Sequence, residues 1–416
     1  SGSQPIPAFN YGNLNGTGGD RVLASSGTIG ICGSFTRGAG AYTITGSTVN
    51  YNGSGAQTIS AGTYNNLTIS NARGGAALTL GAGTIDVAST FDPSPASAYT
   101  VTVGTNIFNF SSAGAQSIPA FYYYSITNSG NGNRTWASSG VIDVNSTFTP
   151  GSGTHTITGS SFRYSNVAAG STTLSSFTTN VASRQYNNLE FVGGASTAWV
   201  LGSGFNLGVD GNFVLSGAGT FTVATNATAS TMVVDGNLTI NGAGNLIIAN
   251  TATATLVNSL TVSGNTTISS GNLIGVGSSS STTVQGNFTT NDLTISGTGA
   301  MNLDAASNTA NSAVTAHGNM SVTSSTANAV NFGSGTNNAA NVINLKGNLT
   351  KSGSGTFGCS GTFNATSGFF FNNGSGTQTL DYSGTAMTSS NFTVAAGSTL
   401  QLLSNLTLGS NATASS

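Results

Sequence analysis

RVLASSGTIGICGSFTRGAGAYTITGSTVNY, residues Arg21–Tyr51, returns as RTWASSGVIDVNSTFTPGSGTHTITGSSFRY at Arg134–Tyr164, 113 residues on and without a gap. A further copy lies between them, with Gly83 and Phe91 placed 56 residues after Gly27 and Phe35. A fourth starts at Trp199 as WVLGSGFNLGVDGNF. Working back, SQPIPAFNYGNL near the start matches AQSIPAFYYYSI at Ala115–Ile126. Self-similarity at a fixed period is the mark of a repeat architecture.

Within each copy the local phrase is apolar–Thr–apolar, as in Leu67-Thr68-Ile69, Leu78-Thr79-Leu80, Val101-Thr102-Val103, Leu238-Thr239-Ile240 and Leu293-Thr294-Ile295. Alternation with period two in β-branched residues predicts short strands with one buried face. Gly, Asn and Ser clusters between them suit sharp corners. Residues that build solvated helices are scarce, so almost no α-helix is expected. Together these features predict an all-β parallel β-helix, a β-solenoid, over residues 1–416 as one continuous body. Residues 1–203 carry long units of 56 to 59 residues, two or three rungs each. Residues 204–362 carry shorter rungs centred on Gly-Asn (Gly211-Asn212, Gly236-Asn237, Gly286-Asn287, Gly318-Asn319, Gly347-Asn348, with Asn258 filling a gap), and 363–416 return to the first type. At about 4.8 Å per rung the whole would be a rod on the order of 80–100 Å. If matching phrases lie over one another, Tyr51, Phe110 and Tyr164 would form a stacking ladder of rings, and Gln57, Gln116 and Gln378 a ladder of amides.

Charge is nearly absent. The chain has 416 residues, of which 4% are charged, with a formal net charge of -2. An ordinary domain is about 25% charged. Eight scattered cations make no basic footprint, so nucleic acid is not expected as a partner. No apolar run approaches a membrane span, so insertion is not expected either.

The phrases YNNLTIS (Tyr64–Ser70), YNNLEF (Tyr186–Phe191) and DGNLTI (Asp235–Ile240) resemble the repeat regions of very large secreted surface proteins of Bacteroidetes-type bacteria. They are also similar to filamentous-haemagglutinin-like β-helix adhesins. The resemblance implies export to the cell surface and a role in adhesion or in an extracellular fibre.

Chemistry-bearing residues are few. Glycosidic hydrolysis usually takes two carboxyl groups, and Asp86 and Asp143 occupy equivalent positions in GTIDV and GVIDV. Stacked copies would bring them together, but they read more simply as two solvated strand positions. His155 replaces Tyr42 in the TITG phrase and reads as a stacked ring, and neither it nor His317 has a ligand-spaced partner. Gly18-Gly19-Asp20 stands alone, short of a calcium-binding repeat. No catalytic residue, metal site or cofactor site is assigned, and an enzyme is not expected. Sequons such as Asn66, Asn145, Asn237, Asn348 and Asn405 follow from composition. In the runs Tyr122-Tyr123-Tyr124 and Phe369-Phe370-Phe371 neighbours must point to opposite faces, so at least one ring of each should lie outside, either as an exposed contact surface for glycans or for assembly or as the cover of a wide rung or corner. Cys32 and Cys359, near opposite ends of the chain, read as small half-buried residues or free thiols, with a disulfide between subunits as the sharper alternative.

The expected function follows from the missing charge. Near-neutral surfaces associate, and a solenoid with no evident cap leaves unpaired backbone groups at its ends. The sequence therefore predicts a structural subunit or segment of an extracellular surface fibre, with its own copies, added head to tail, as partner. An adhesin stalk and a glycan-binding or glycan-active β-helix are the rivals, the latter with surface glycans as partner. An ice-binding solenoid is more remote, because it would want a flat array of regularly spaced Thr and the rung lengths vary.

Overall fold

Alternation of apolar and small polar residues gives strands whose side chains are buried and exposed in turn: Thr48–Tyr51, Asn66–Ile69 and Val141–Val144 all bury their second and fourth positions. The computed structural model describes residues 2–94, 100–166, 169–202, 204–225, 228–250, 256–277, 284–305, 312–333, 340–358, 366–383, 391–406 and 413–415. Among these there is no helix, and the strands stack in parallel sheets as a β-solenoid of about 14 turns. Contacts divide the chain into two units, Ser1–Ser165 with Phe177–Ala182 and Asn166–Ser176 with Ser183–Ser416.

In the first unit the ladders join each strand to the third strand after it. Gln4–Ile6 pairs with Arg21–Leu23, which pairs with Tyr42–Thr43; Asn10–Tyr11 pairs with Thr28–Ile31, which pairs with Thr48–Tyr51. Three strands therefore make a turn. Eight strands run from Gln4 to Tyr51, eight more from Gln57 to Phe110, and eight from Gln116 to Tyr164. Eight strands at three per turn make two and two-thirds turns. Each copy of the long unit thus begins one side further round the coil. Thr28–Ile31 lies in the sheet of Asn10–Tyr11 and Asn66–Ile69; its copy Gly83–Val87 lies with Gly62–Tyr64 and Asn106–Phe110; the third, Val141–Val144, lies with Phe121–Tyr123 and Ser161–Tyr164.

This corrects the expected ladders. Tyr51 has Ile31 and Ile69 as its register partners, Phe110 has Val87, and Tyr164 has Val144. Gln57, Gln116 and Gln378 likewise stand in three sheets, beside Leu78, Arg134 and Leu400. Copies cannot stack on copies when the unit is not a whole number of turns. Unlike phrases stack instead, and they are fitted to each other. Gly27, Gly83 and Gly140, at φ of 79°, 101° and 82°, lie over Ala8, Ala61 and Ala120, with room for no side chain at Gly27 and Gly140. Both the left-handed backbone and the close approach require Gly there.

From Asn188–Phe191 through Phe357–Gly358 the second unit has three strands per turn and no such advance, so one phrase stays on one side. Its register offsets run from 22 residues (Ala198 to Thr220) to 31 (Leu349 to Leu380). The corner entering the Leu238–Ile240, Thr266–Ile268, Leu293–Ile295, Met320–Val322 and Leu349–Lys351 stack is constant: two or three residues separate each of these strands from the strand before it. The added length falls on another side, between strands such as Asn245–Ala249 and Val257–Val262. Gly286-Asn287 and Asn258 are therefore not members of the corner series, because they sit inside strands of the neighbouring sheet. Their places at the corner are taken by Asn291-Asp292 and Gly264-Asn265.

The interior is mainly apolar, with a minority of buried polar side chains. Phe91, Phe108, Phe110, Phe121 and Tyr123 form one ring cluster in the first unit, and Trp136, Phe148, Phe162 and Phe177 another. In the second unit Phe369 and Phe392, which are register partners, stack at 5.6 Å and 16°.

Candidate functional site

The glutamines expected to stack hold corners. Gln57 Nε2 donates to the carbonyls of Ile31 and Gly33 in the rung below at 2.7 Å each, while its Oε1 accepts from Gly53 N. Gln116, one unit on, donates to Val87 O and accepts from Ser112 N. Gln378 Nε2 donates to Leu345 O and Gly347 O. All three side chains are buried. The same corners are held from above by buried arginines. Arg73 donates to Tyr51 O and Gly55 O, and Arg134 donates to the equivalent Phe110 O and Gly114 O and also to Ser112 O. A Gly-rich corner turns its carbonyls inward, and a planar fork of donors meets several of them at once. The recurrent GAQ and GTQ triplets mark the glutamines in the sequence; nothing marks the arginines, which are not equivalent to each other in the repeat.

At each advance of the unit a ladder is interrupted, and there the surface opens. Between Phe35–Arg37 and Gln57–Ile59 lies a cleft of about 360 Å³ bordered by Asn13, Ser34, Gln57 and Thr58. Its counterpart between Phe91–Asp92 and Gln116–Ile118, about 210 Å³, is bordered by Thr90, Gln116 and Ser117. No ionisable side chain borders either cleft.

The other expected site residues disperse. Asp86 pairs in register with Thr63 and Asn109 and accepts from Asn109 Nδ2, whereas Asp143 pairs with Tyr122 and Arg163 and lies 3.4 Å from the Arg163 guanidinium. They stand in different sheets, so stacking does not bring the two carboxylates together. In the tyrosine run Tyr123 is buried and donates to Pro119 O, while Tyr122 and Tyr124 are half-buried. In the phenylalanine run Phe369 and Phe371 are buried and only Phe370 turns outward, beside Asn344 and Thr393. Each outward ring thus sits among polar neighbours. Phe9 is 66% exposed, and no pattern in the sequence marks it. Cys32 is exposed and its thiol donates to Asn52 Oδ1; Cys359 lies outside the described residues.

His155 is fully buried against Trp136, Phe148 and Phe177. Its Nδ1 accepts from Trp136 Nε1 and its Nε2–H donates to Pro150 O, both at 2.9 Å. Loss of hydration lowers its pKa from the ordinary 6.5 to about 4. It is a neutral structural ring. Among the described residues no group of three His, Cys, Asp or Glu side chains could hold a metal ion, and no helix is long and apolar enough to cross a membrane.

The second unit carries a side-chain column that does run in register. Asn188 Oδ1 accepts from Asn212 N, Asn212 from Asn237 N, Asn237 from Asn265 N, and Asn265 from Asp292 N, at 2.8–3.2 Å. Asp292 Oδ1 then accepts from Asn319 N, Asn319 from Asn348 N, and Asn348 from Thr379 N, at 2.7–2.9 Å. Only the oxygen is used, which is why Asp292 can hold a place. Two residues beyond the five members from Asn237 to Asn348, on the same outer face, stand Thr239, Thr267, Thr294, Ser321 and Thr350 in register. Several sequons are explained by this pattern: an Asn at the corner, an inward residue, then an outward Thr or Ser. No family model, curated protein or solved structure matches the chain.

Proposed function

We propose that the chain is a stiff structural segment of an extracellular surface fibre, joined to further copies of itself end to end. The observation that carries this reading is that every ladder among the described residues runs parallel from rung to rung. Terminal turns of such a coil offer a row of N–H and C=O groups to another copy. With 4% charged residues, little keeps copies apart. Its surface has few groups that titrate, so its assembly responds weakly to salt and pH apart from the buried histidine. Negative-stain images of the purified chain over a range of concentrations test this. Filaments growing with concentration support it; isolated particles at every concentration reject it and favour a stalk that carries a binding tip elsewhere. The two equivalent uncharged clefts favour a second reading, in which the rod also docks neutral surface glycans. A glycan array, with Thr58 and Ser117 changed to Tyr to fill the clefts, checks it.

A further inference from the structure

Besides and independently of that reading, we infer that the face carrying the asparagine column binds the surface of an ice crystal. Over five rungs, Leu238–Ile240 to Leu349–Lys351, three outward ranks stand side by side: the Asn/Asp column, the Thr239-to-Thr350 rank, and a rank of Asn, Ser and Thr from Asn241 to Ser352. Neighbouring rungs lie about 4.8 Å apart and alternate residues of a parallel strand about 6.6 Å apart. The result is a two-dimensional lattice of hydroxyl, methyl and amide groups, about 19 by 13 Å, with spacings near the oxygen repeats of a prism face of ice. Variation in rung length, which argues against such a lattice from sequence, is carried by another side of the coil. The corner entering this face keeps two or three residues throughout.

The lattice is also held still. Each Asn oxygen is tied to the next rung, and β-branched Thr has few rotamers. Asp292 is the one ionisable residue in the three ranks. On the same rungs Val233 of the adjoining sheet faces outward, and Asp235, His317 and Lys346 stand at the corner before the asparagine column, outside the three ranks. Other occupants fit less well. A protein partner wants about 800 Å² per side and an aromatic or Arg anchor, but this patch is about a third of that and has neither. A glycan surface would want rings to stack on, and the ranks hold no aromatic residue.

The test is growth of single ice crystals in solutions of the full chain, read as faceting and as a gap between melting and freezing points. A second readout is uptake of fluorescently labelled chain into a growing ice hemisphere. The wild type should facet crystals and enter the ice. A Thr267→Tyr/Thr294→Tyr variant should lose both effects. A Thr289→Tyr/Thr315→Tyr variant, altered at outward positions of the adjoining sheet, should keep them. Round crystals and exclusion of the wild type from ice overturn the inference. So does equal loss in the two variants, with circular dichroism confirming that both are folded.

Discussion

At the scale of the residue, the fold is held at its corners by side chains that reach down a rung. Replacing Gln57 or Gln116 by Leu keeps the volume near constant but removes the side-chain partner of the corner N–H (Gly53 or Ser112) and, for Gln57, of Gly33 O, while Ile31 O and Val87 O keep the backbone donors Asn52 N and Ser111 N. An unsatisfied buried polar group costs about 1–3 kcal/mol, so each variant should be destabilised by about that much in a urea melt, while an exposed Thr58→Ser change is neutral. His155 gives a pH-dependent counterpart. Its native pKa of about 4 lies below the ordinary 6.5, so the unfolded chain takes up the proton first. Its contribution is complete above pH 6.5 and is lost as the pH falls towards 4. The span corresponds to about 3 kcal/mol. Melts at pH 7, 5.5 and 4 should show that decline, and His155→Tyr, which restores the residue of the first copy, should flatten it.

At the scale of the element, the alternation of Thr with apolar residues made the strands legible, and the Gly/Asn clusters made the corners legible. What alternation cannot say is which strand lies on which. A 57-residue phrase reads the same whether it closes two, three or two and two-thirds turns, and that fraction decides whether Tyr51 meets Phe110 or Ile31. A column of like side chains stands instead at the Asn corner of the second unit, where each turn begins on the same side. Gly286-Asn287 misled because a Gly-Asn pair inside a strand is indistinguishable in sequence from one at a corner. The column predicts an unusual tolerance. Asn348→Asp keeps the oxygen that accepts from Thr379 N and should change stability by less than about 0.5 kcal/mol at pH 7, whereas Asn348→Ala should cost about 0.5–1.5 kcal/mol. Thermal melts of the two variants side by side read the difference.

At the scale of the whole molecule, stability in a solenoid is a sum of turns and of the fits between neighbouring turns. In the first unit those fits are heterologous: the Ala of one phrase lies under the Gly of the next, and a corner is closed by a Gln within it and an Arg above it. Deleting residues 57–115, one long unit, removes eight strands and joins Ala56 to Gln116. Every phrase then keeps the kind of neighbour it had, because the strands that follow are copies of those removed, and the rule of pairing with the third strand onward is preserved. Deleting residues 21–41 removes one turn and preserves the same backbone rule, yet it sets the Tyr42–Thr43 strand directly on Gln4–Ile6 and leaves Ala8 without the Gly that fits it. If backbone pairing alone held the coil, the shorter deletion would be the milder. With side-chain fits deciding, the 59-residue deletion should retain a cooperative melt and protease resistance, and the 21-residue deletion should lose both around the junction. Hydrogen exchange on the two shortened chains reads this directly, and protection of the first four strands in the 21-residue deletion would show that the matched phrases are not what holds one turn to the next.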